Sequence, residues 1–424
     1  MTPHVKLPAT AVIAALAGAM LASAAEWPHL MGPGYDRTSP EELPAQWTSG
    51  EARRIWEVSC DGGFSSFVTG DGKAYTVVPR RIGGRTREVA VALDLTTGRQ
   101  IWEAPLGVAS YDGGGERGAA GNFGGDGPRA TPAFHDGRVF VFGGQFDLYA
   151  LESATGRILW ERDLIKEFGA ETIRWSNTAA PLIAGDLVLV AGGGRDQSFL
   201  AFRASDGEVL WKTGDDRASH ATPILATIHG REQALFLVGR GLVAIDPADG
   251  RELWHYPFAW RTSIGASPVV WRDIVHCTAG YGIGGAACRI TLKGDTWEVR
   301  ELWRSRGNRD AASHWSTAVA HDGYVYGSYG HAQYGSASFK CIDIRTGKVA
   351  WETGGFGHGT VIRVGEHLLA VSDFGRLILI APDPSAYCEI ARLDVLEGKC
   401  WATPAFSDGR LLLRSTTQGV CLTF

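Results

Sequence analysis

The sequence has little net charge and lacks the short motifs of several common enzyme classes. Its 424 residues contain 41 lysines and arginines against 46 aspartates and glutamates, a net charge of -5. This balance gives no reason to expect nucleic acid as a partner. There is no C-x-x-C-H segment to attach a c-type haem and no G-x-S-x-G segment to form a nucleophile elbow. Chemistry that depends on those two motifs is therefore not expected.

Long apolar runs are also scarce, and the one that is present lies at the amino terminus. Residues 7–22 form this run after a weakly basic start, and Ala22-Ser23-Ala24 is a small-residue cleavage sequence. The pattern predicts a signal peptide over residues 1–24 and export to the periplasm or the cell exterior. No Cys follows the cleavage sequence, so a lipoprotein anchor is not expected. No later run is long enough to predict a transmembrane helix.

Glycine, in contrast, is abundant, with 56 residues, and many of these glycines belong to a repeated motif. The clearest copy, ALESATGRILW, spans Ala150 to Trp160. Further copies end at Trp102, Trp211, Trp254 and Trp351, and degraded copies end at Trp56 and Trp303. Successive tryptophans lie about fifty residues apart, a period that is typical of propellers, solenoids and other arrays.

The motif itself predicts a β-hairpin. Alternating apolar residues flank a turn that ends in Gly, which is typical of two antiparallel strands. A second pair of short strands precedes the hairpin, as in residues 129–144, where Asp136-Gly137 forms the turn. No helical period separates the copies. Four antiparallel strands in each unit, without helices, predict the blades of a β-propeller.

The pattern A-x-D-x-x-T-G-x-x-x-W, preceded by a Thr-Pro or Ser-Pro strand, resembles the pyrroloquinoline-quinone (PQQ)-like propeller repeat. That repeat is found in quinoprotein alcohol dehydrogenases and in the outer-membrane assembly lipoprotein BamB. The dipeptides that match its inner strand are Thr131-Pro132, Ala180-Pro181, Thr222-Pro223, Ser267-Pro268 and Thr403-Pro404. The resemblance covers nearly the whole chain after residue 24 and implies an all-β fold.

The predicted propeller has eight four-stranded blades in a single domain over residues 25–424, and we expect a monomer. Inner strands are predicted to begin near Ser65, Ala130, Ala179, Ala221, Ala266, Trp315, Gly359 and Ala402. The last segment, Gln418 to Phe424, has no fourth strand after it, whereas the strand around Trp56 precedes the first complete blade. We predict that this N-terminal strand completes the last blade, because closure removes both free sheet edges.

A candidate binding site is predicted where the inner strands begin, at one mouth of the central channel. The ring of first positions consists of Phe64, Arg129, Thr178, His220, Gly265, His314, His358 and Trp401. Arg174, Arg217, Arg261 and Arg309 lie a few residues upstream, and Trp175, Asn177 and Trp315 lie beside the ring. Guanidinium, imidazole and indole groups suit a planar or anionic ligand through bidentate hydrogen bonds and stacking.

From this set, the residues predicted to bind a ligand are Arg129, Asn177, His220, His314, Trp315, His358, Trp401, Arg174, Arg217, Arg261 and Arg309. The competing interpretation is that the polar residues only hold water. The loop arginines would then pair with Glu171, Asp215, Asp216 and Asp310 on a solvated surface. The Gly-rich stretch from Tyr111 to Gly127 lies on the same face, either as a lid over the mouth or as a surface loop.

The resemblance raises the question of PQQ as a cofactor. The dehydrogenases hold PQQ with a calcium ion bound by carboxylate and amide oxygens, use an Asp as base, and usually carry two adjacent Cys. Here no Cys neighbours another, and no ring position carries Asp or Glu, although Asn177 offers an amide. The three ring histidines come from separate blades, so no metal site is predicted.

The sequence therefore predicts no catalytic residue and no cofactor. It predicts an exported, non-catalytic binding or scaffolding module that contacts protein partners through the propeller loops. A PQQ-dependent oxidoreductase, or a sensor or carrier of a small anionic ligand, remains as the alternative. Among the seven Cys, Cys277 and Cys288 flank a Gly-rich hairpin and either form a disulfide or are small buried thiols.

Overall fold

The computed structural model describes residues 26–44, 47, 52–111, 127–330 and 337–424. The predicted signal peptide and nearly all of the Gly-rich stretch from Tyr111 to Gly127 lie outside these ranges. Within them the chain forms eight sheets, one for each predicted blade. No helix of the described residues is long and apolar enough to cross a membrane.

Each blade is an antiparallel sheet of four strands, numbered from the channel outwards. Blade 1 contains β3 (Val68–Gly70), β4 (Lys73–Ile82), β5 (Arg85–Asp94) and β6 (Gln100–Val108). Blade 2 contains β7 (Ala133–His135), β8 (Arg138–Phe142), β9 (Asp147–Glu152) and β10 (Ile158–Asp163). Blade 3 contains β11 (Leu182–Ala184), β12 (Leu187–Ala191), β13 (Phe199–Arg203) and β14 (Val209–Thr213). Blade 4 contains β15 (Ile224–Ile228), β16 (Arg231–Val238), β17 (Gly241–Ile245) and β18 (Glu252–Pro257).

The second half of the ring repeats this arrangement. Blade 5 contains β19 (Val269–Trp271), β20 (Ile274–Ala279), β21 (Gly284–Lys293) and β22 (Thr296–Ser305). Blade 6 contains β23 (Val319–His321), β24 (Tyr324–Tyr329), β25 (Ser338–Asp343) and β26 (Val349–Thr353). Blade 7 contains β27 (Thr360–Val364), β28 (His367–Val371), β29 (Arg376–Ala381) and β30 (Cys388–Asp394). Blade 8 contains β31 (Ala405–Ser407), β32 (Arg410–Arg414), β33 (Gln418–Thr423) and β2 (Arg53–Ser59).

The predicted closure of the ring is confirmed. Strand β2 pairs antiparallel with β33, with Arg53 opposite Thr423 and Ser59 opposite Gln418. The N-terminal strand is thus the outer strand of the last blade. Because β2 and β33 pair in one sheet, the ring of blades is closed and β33 has no free edge.

The prediction that helices are absent is wrong at one position. A single-turn helix, α1 (Leu164–Phe168), follows blade 2. The Asp163 carboxylate caps it by accepting from the Lys166 N–H, and Gly169 ends it in the left-handed conformation. The turn is too short to show as a helical period in the sequence, which explains why it was not predicted.

Neighbouring blades are joined by a repeated contact between the motif tryptophan and the motif glycine. Trp160 of blade 2 lies against Gly207 of blade 3, where a Cβ would come within 2.7 Å of the indole ring. Its Nε1 donates to the Ala204 carbonyl at 3.0 Å. The same Trp–Gly contact joins Trp56 to Gly98, Trp102 to Gly156, Trp211 to Gly250 and Trp303 to Gly347. The repeat therefore encodes the packing between blades as well as the hairpin.

The Thr-Pro strands join the blades nearer to the channel. The Thr131 Oγ1 accepts from the Ser66 N–H of the preceding blade at 2.9 Å, and the Thr317 Oγ1 accepts from the Ser267 N–H at 2.9 Å. Thr222 makes the same bond, and the Ser66 Oγ closes the ring by accepting from the Thr403 N–H at 2.8 Å. These hydroxyls, which we call the hydroxyl belt, satisfy buried backbone donors on the inner strands.

The segment over residues 26–44, which carries no copy of the repeat motif, lies across the end of the channel opposite the mouth. The Pro28 carbonyl accepts from the Phe134 N–H of blade 2 at 2.7 Å, and the Tyr35 hydroxyl donates to the Ile183 carbonyl of blade 3 at 2.7 Å. Its short strand β1 (Thr38–Ser39) then adds in parallel to the inner edge of β27 in blade 7. The segment therefore contacts inner strands around the channel and closes this end.

The seven cysteines are unpaired in the structure, and all except Cys388 are buried. Cys277 faces Ala286 across the blade 5 hairpin, whereas Cys288 faces Val275. The two residues are therefore not opposite each other, and the structure favours the alternative in which both are small buried thiols. Burial raises the pKa of both thiols above the ordinary range, which disfavours the reactive thiolate.

Candidate functional site

The residues predicted for the mouth come together in one layer of aromatic and imidazole rings. Trp401 stacks on Phe64 with 4.9 Å between ring centroids and lies 4.6 Å from Trp315. Trp315 in turn lies 5.0 Å from His358 and 5.0 Å from His314. These rings come from blades 6, 7, 8 and 1, which are consecutive around the closed ring.

The layer continues on the other side through residues of the loops. Trp175 lies 6.2 Å from both His220 and His314, measured between ring centroids. Tyr281, in the blade 5 hairpin loop, stacks on Trp175 at 6.3 Å and meets His314 edge-on at 4.9 Å. We refer to these eight residues as the mouth cluster: Phe64, Trp175, His220, Tyr281, His314, Trp315, His358 and Trp401.

A buried hydrogen-bond chain fixes two of the histidines. The His220 Nε2 lies 2.6 Å from the Arg174 carbonyl and must donate to it, because a carbonyl only accepts. Burial, with the nearby charges of Arg129 and Arg217, lowers the pKa of His220 to about 4. The neutral ring therefore accepts from the Ser263 hydroxyl at Nδ1, 2.9 Å away. The His314 Nε2–H completes the chain by donating to the Ser263 Oγ at 2.9 Å.

The four loop arginines form an exposed collar around the mouth cluster. All four side chains are exposed: Arg174, Arg217, Arg261 and Arg309. The guanidinium carbon of Arg174 lies 4.6 Å from the Trp175 ring centroid, and that of Arg217 lies 4.4 Å from the Trp260 centroid. These two cation–π contacts hold the guanidiniums of Arg174 and Arg217 on aromatic faces and leave their outer edges free to bind.

The proposed alternative partners of these arginines are not engaged with them. Asp216 pairs with Arg240, whose Nε lies 3.0 Å from the carboxylate. Among the residues that the structure describes, none of the four collar arginines has a carboxylate oxygen within 4.0 Å. The interpretation in which they pair with Glu171, Asp215, Asp216 and Asp310 is therefore not favoured. The collar is positively charged in a protein whose net charge is negative.

Two of the predicted residues have structural contacts. The Asn177 amide is buried and donates to the Phe142 carbonyl at 2.9 Å, while its oxygen accepts from the Ala179 N–H at 3.0 Å. Arg129 is partly buried and donates to the Trp175 carbonyl at 2.9 Å. Arg129 thereby holds the loop that carries Trp175 and Arg174. Both residues order the loops around the mouth.

Sequence reasoning missed three residues at or below the mouth. Ser263 and Tyr281 belong to loops and carry no repeat signal, so nothing in the motif placed them beside His220 and His314. Arg37 comes from the segment at the opposite end of the channel, yet its guanidinium donates to the Thr317 carbonyl and the Thr403 hydroxyl, beside the hydroxyl belt. The positive φ of 61° at Arg37 is a local signal that only the structure provides.

The donor groups at the mouth do not match a calcium-bound PQQ site. The cluster offers imidazoles, indoles and guanidiniums, whereas calcium prefers carboxylate and carbonyl oxygens. The carboxylate of Asp373 is close to it, and one oxygen accepts from the His358 N–H at 3.0 Å. In the described part of the chain, no three His, Cys, Asp or Glu side chains are grouped to hold a metal ion. His220 also uses both ring nitrogens in the hydrogen-bond chain.

Fold and repeat together define an eight-bladed propeller of the PQQ-like class. Residues 85–353 match the family described as outer membrane protein assembly factor BamB, and the chain belongs to this family. The BamB structure from Moraxella catarrhalis aligns over 88% of this chain and 98% of that protein, with a TM-score of 0.60 and 15% identity.

Quinoprotein enzymes share the same fold. The quinohemoprotein alcohol dehydrogenase from Comamonas testosteroni aligns over 94% of this chain and 80% of that protein, with a TM-score of 0.65 and 14% identity. The quinoprotein alcohol dehydrogenase PedH from Pseudomonas putida is 26% identical over 189 residues. That match covers 42% of this chain and only 30% of PedH. At these identities the similarity to the solved structures describes the fold alone.

Proposed function

We propose that the protein is an exported, non-catalytic binding module whose mouth face binds an acidic protein partner. The observation that carries this proposal is the arginine collar, four exposed guanidiniums around a layer of aromatic rings without carboxylates paired to them. Aromatic and arginine side chains are the residues enriched at protein interfaces. Export is proposed from the sequence pattern of residues 1–24, and the family description, outer membrane protein assembly, is consistent with it.

The structure supports binding more directly than catalysis. The polar atoms of His220, Ser263 and Asn177 are engaged in internal hydrogen bonds that hold the mouth in one arrangement. Because the mouth cluster is held rigidly inside the arginine collar, it loses little conformational entropy when a partner binds, and this favours affinity. The positive charge of the arginine collar favours partners that carry carboxylates and speeds their association with the protein.

The collar can be tested with fluorescein-labelled poly-L-glutamate as an acidic probe and fluorescence anisotropy as the readout. We expect the wild type to bind it and binding to weaken as salt rises, because salt screens exposed charges. Replacing Arg174, Arg217, Arg261 and Arg309 by Gln should weaken binding about fourfold or more, since four exposed ion pairs contribute roughly 0.2–1 kcal/mol each.

The matched control removes four positive charges elsewhere. Arg53, Arg99, Arg157 and Arg300 are also exposed and lie on outer strands or hairpin turns away from the mouth. Their replacement by Gln changes the net charge equally and should leave most of the binding intact. Equal losses in the two variants would mean that the probe senses only overall charge, and the mouth proposal would be wrong.

PQQ binding is the second candidate, favoured by the PedH match, by the tilted indole pair of Trp315 and Trp401 and by the guanidinium of Arg174 over Trp175, which suit a planar, carboxylate-bearing compound. Because the oxygen ligands for calcium are not grouped at the mouth, we expect no alcohol oxidation. The measurement is isothermal titration with PQQ, with and without calcium, followed by a dye-linked alcohol oxidation assay. Turnover by a PQQ complex would place the protein among the enzymes and overturn the first proposal.

A further inference from the structure

Arg37 is a buried cation at the centre of the propeller. Only 3% of the residue is exposed. Its Nη1 donates to the Thr317 carbonyl of blade 6 at 2.8 Å, and its Nη2 donates to the Thr403 Oγ1 of blade 8 at 3.1 Å. Its Nε is buried without a hydrogen-bond partner. Among the described residues, no carboxylate oxygen lies within 4.0 Å of this guanidinium.

A second buried arginine, Arg414, has a fuller set of partners than Arg37, although its Nε is likewise buried without one. Arg414 donates to the carbonyls of Ser65, Val77 and Gly62 and to the Thr76 hydroxyl. Three carbonyl dipoles therefore surround it, and the charge of Asp61 acts on it as well. Arg37 has one carbonyl and one hydroxyl, and burial alone lowers its pKa to about 9. A buried charge with so few partners is unfavourable unless another group compensates it.

The place of Arg37 in the channel is fixed from both sides. Its N–H donates to the Met31 carbonyl at 2.6 Å, and its carbonyl accepts from the Arg363 N–H of blade 7 at 2.9 Å. The residue has a left-handed φ of 61°, which is unfavourable for a side chain with a Cβ. Thr317 and Thr403 follow Trp315 and Trp401 by two residues, just before β23 and β31 begin. The guanidinium thus lies one step below the mouth cluster, at the level of the hydroxyl belt.

We propose that Arg37 holds a small monovalent anion, a halide or a simple carboxylate, inside the channel at the level of the hydroxyl belt. The anion would accept from the unpartnered Nε–H and neutralise the guanidinium, which offers several N–H donors in a fixed plane. It would also be enclosed between the mouth cluster and the N-terminal segment. The site is separate from the collar and does not depend on the function proposed for it.

Crystals of the full mature chain grown in sodium bromide test the site directly, because bromide scatters anomalously. We expect an anomalous peak within hydrogen-bond distance of the Arg37 guanidinium in the wild type. The peak should be lost in Arg37→Gln and kept in Arg217→Gln, which removes an exposed arginine of the collar. Peaks on the surface only, with none at Arg37, would show an adventitious ion only and overturn the proposal.

A solution measurement remains available if Arg37→Gln does not crystallise. At constant ionic strength, replacing sulfate by bromide or formate should raise the melting temperature of the wild type relative to that of Arg37→Gln, and saturably, because an anion that binds only the folded state stabilises it. A response to formate alone would identify a carboxylate site, and a response to both would identify a general small-anion site. Equal anion dependence in the wild type and Arg37→Lys or Arg37→Gln would contradict the proposal.

Discussion

Replacing Trp160 by Ala is expected to lower the free energy of unfolding by roughly 3–5 kcal/mol, the usual cost of truncating a buried aromatic side chain. The ring is only 8% exposed and lies 5.9 Å from Phe140 and 6.3 Å from Phe202, measured between centroids. The substitution also leaves the Ala204 carbonyl without its indole donor. Urea denaturation of the full chain would measure the change.

A matched control for this prediction is Trp297→Ala. Trp297 is also a tryptophan of an outer strand, but it is half-buried and does not occupy the Trp position that ends the repeat motif. Its truncation should cost clearly less than that of Trp160. A loss under about 1 kcal/mol for Trp160→Ala would contradict the role of the Trp–Gly contact in joining blades 2 and 3.

The repeat motif predicted both the blades and the contacts that join them, because the same residues do both. Where a copy is degraded, the contact changes. By analogy with the other blades, Trp254 would contact a motif glycine in the outer hairpin of blade 5. That hairpin has a tight turn at Gly294 in place of the full motif. The Trp254 indole donates instead to the Gln233 side chain at 2.7 Å. Blade 7 lacks the motif glycine, and Trp351 reaches the Asp383 carbonyl at 2.8 Å. The degraded copies were visible in the sequence, although the substitute partners were not.

The candidate site was only partly predictable, because only some of its residues occupy positions of the repeat. Four residues occupy equivalent positions of the repeat, so alignment of the inner strands predicted that they lie at the same end of the channel: His220, His314, His358 and Trp401. Ser263 and Tyr281 belong to loops, whose conformation depends on contacts that no period encodes. The segment over residues 26–44 has no repeat at all, and its path across the channel is set by single contacts with separate blades.

Gly207→Ala is expected to cost about 2–5 kcal/mol, although it adds only a methyl group. Gly207 has a φ of 71°, and a left-handed conformation costs a residue with a Cβ roughly 1–2 kcal/mol. The new Cβ would also come within 2.7 Å of the Trp160 ring, and overpacking of this kind adds about 1–3 kcal/mol. The free energy of unfolding in urea, measured beside the wild type, gives the total.

Gly230 separates the two causes, because it has the same φ of 71° and a Cβ added there would meet no atom within 4 Å. Gly230→Ala should therefore show the backbone cost alone, and the difference between the two variants is the cost of displacing the indole. That difference should disappear when both glycines are tested in the Trp160→Ala background, because the ring that the methyl group would meet is then absent. If Gly207→Ala stayed more costly than Gly230→Ala without Trp160, the glycine would be required by something other than the Trp–Gly contact.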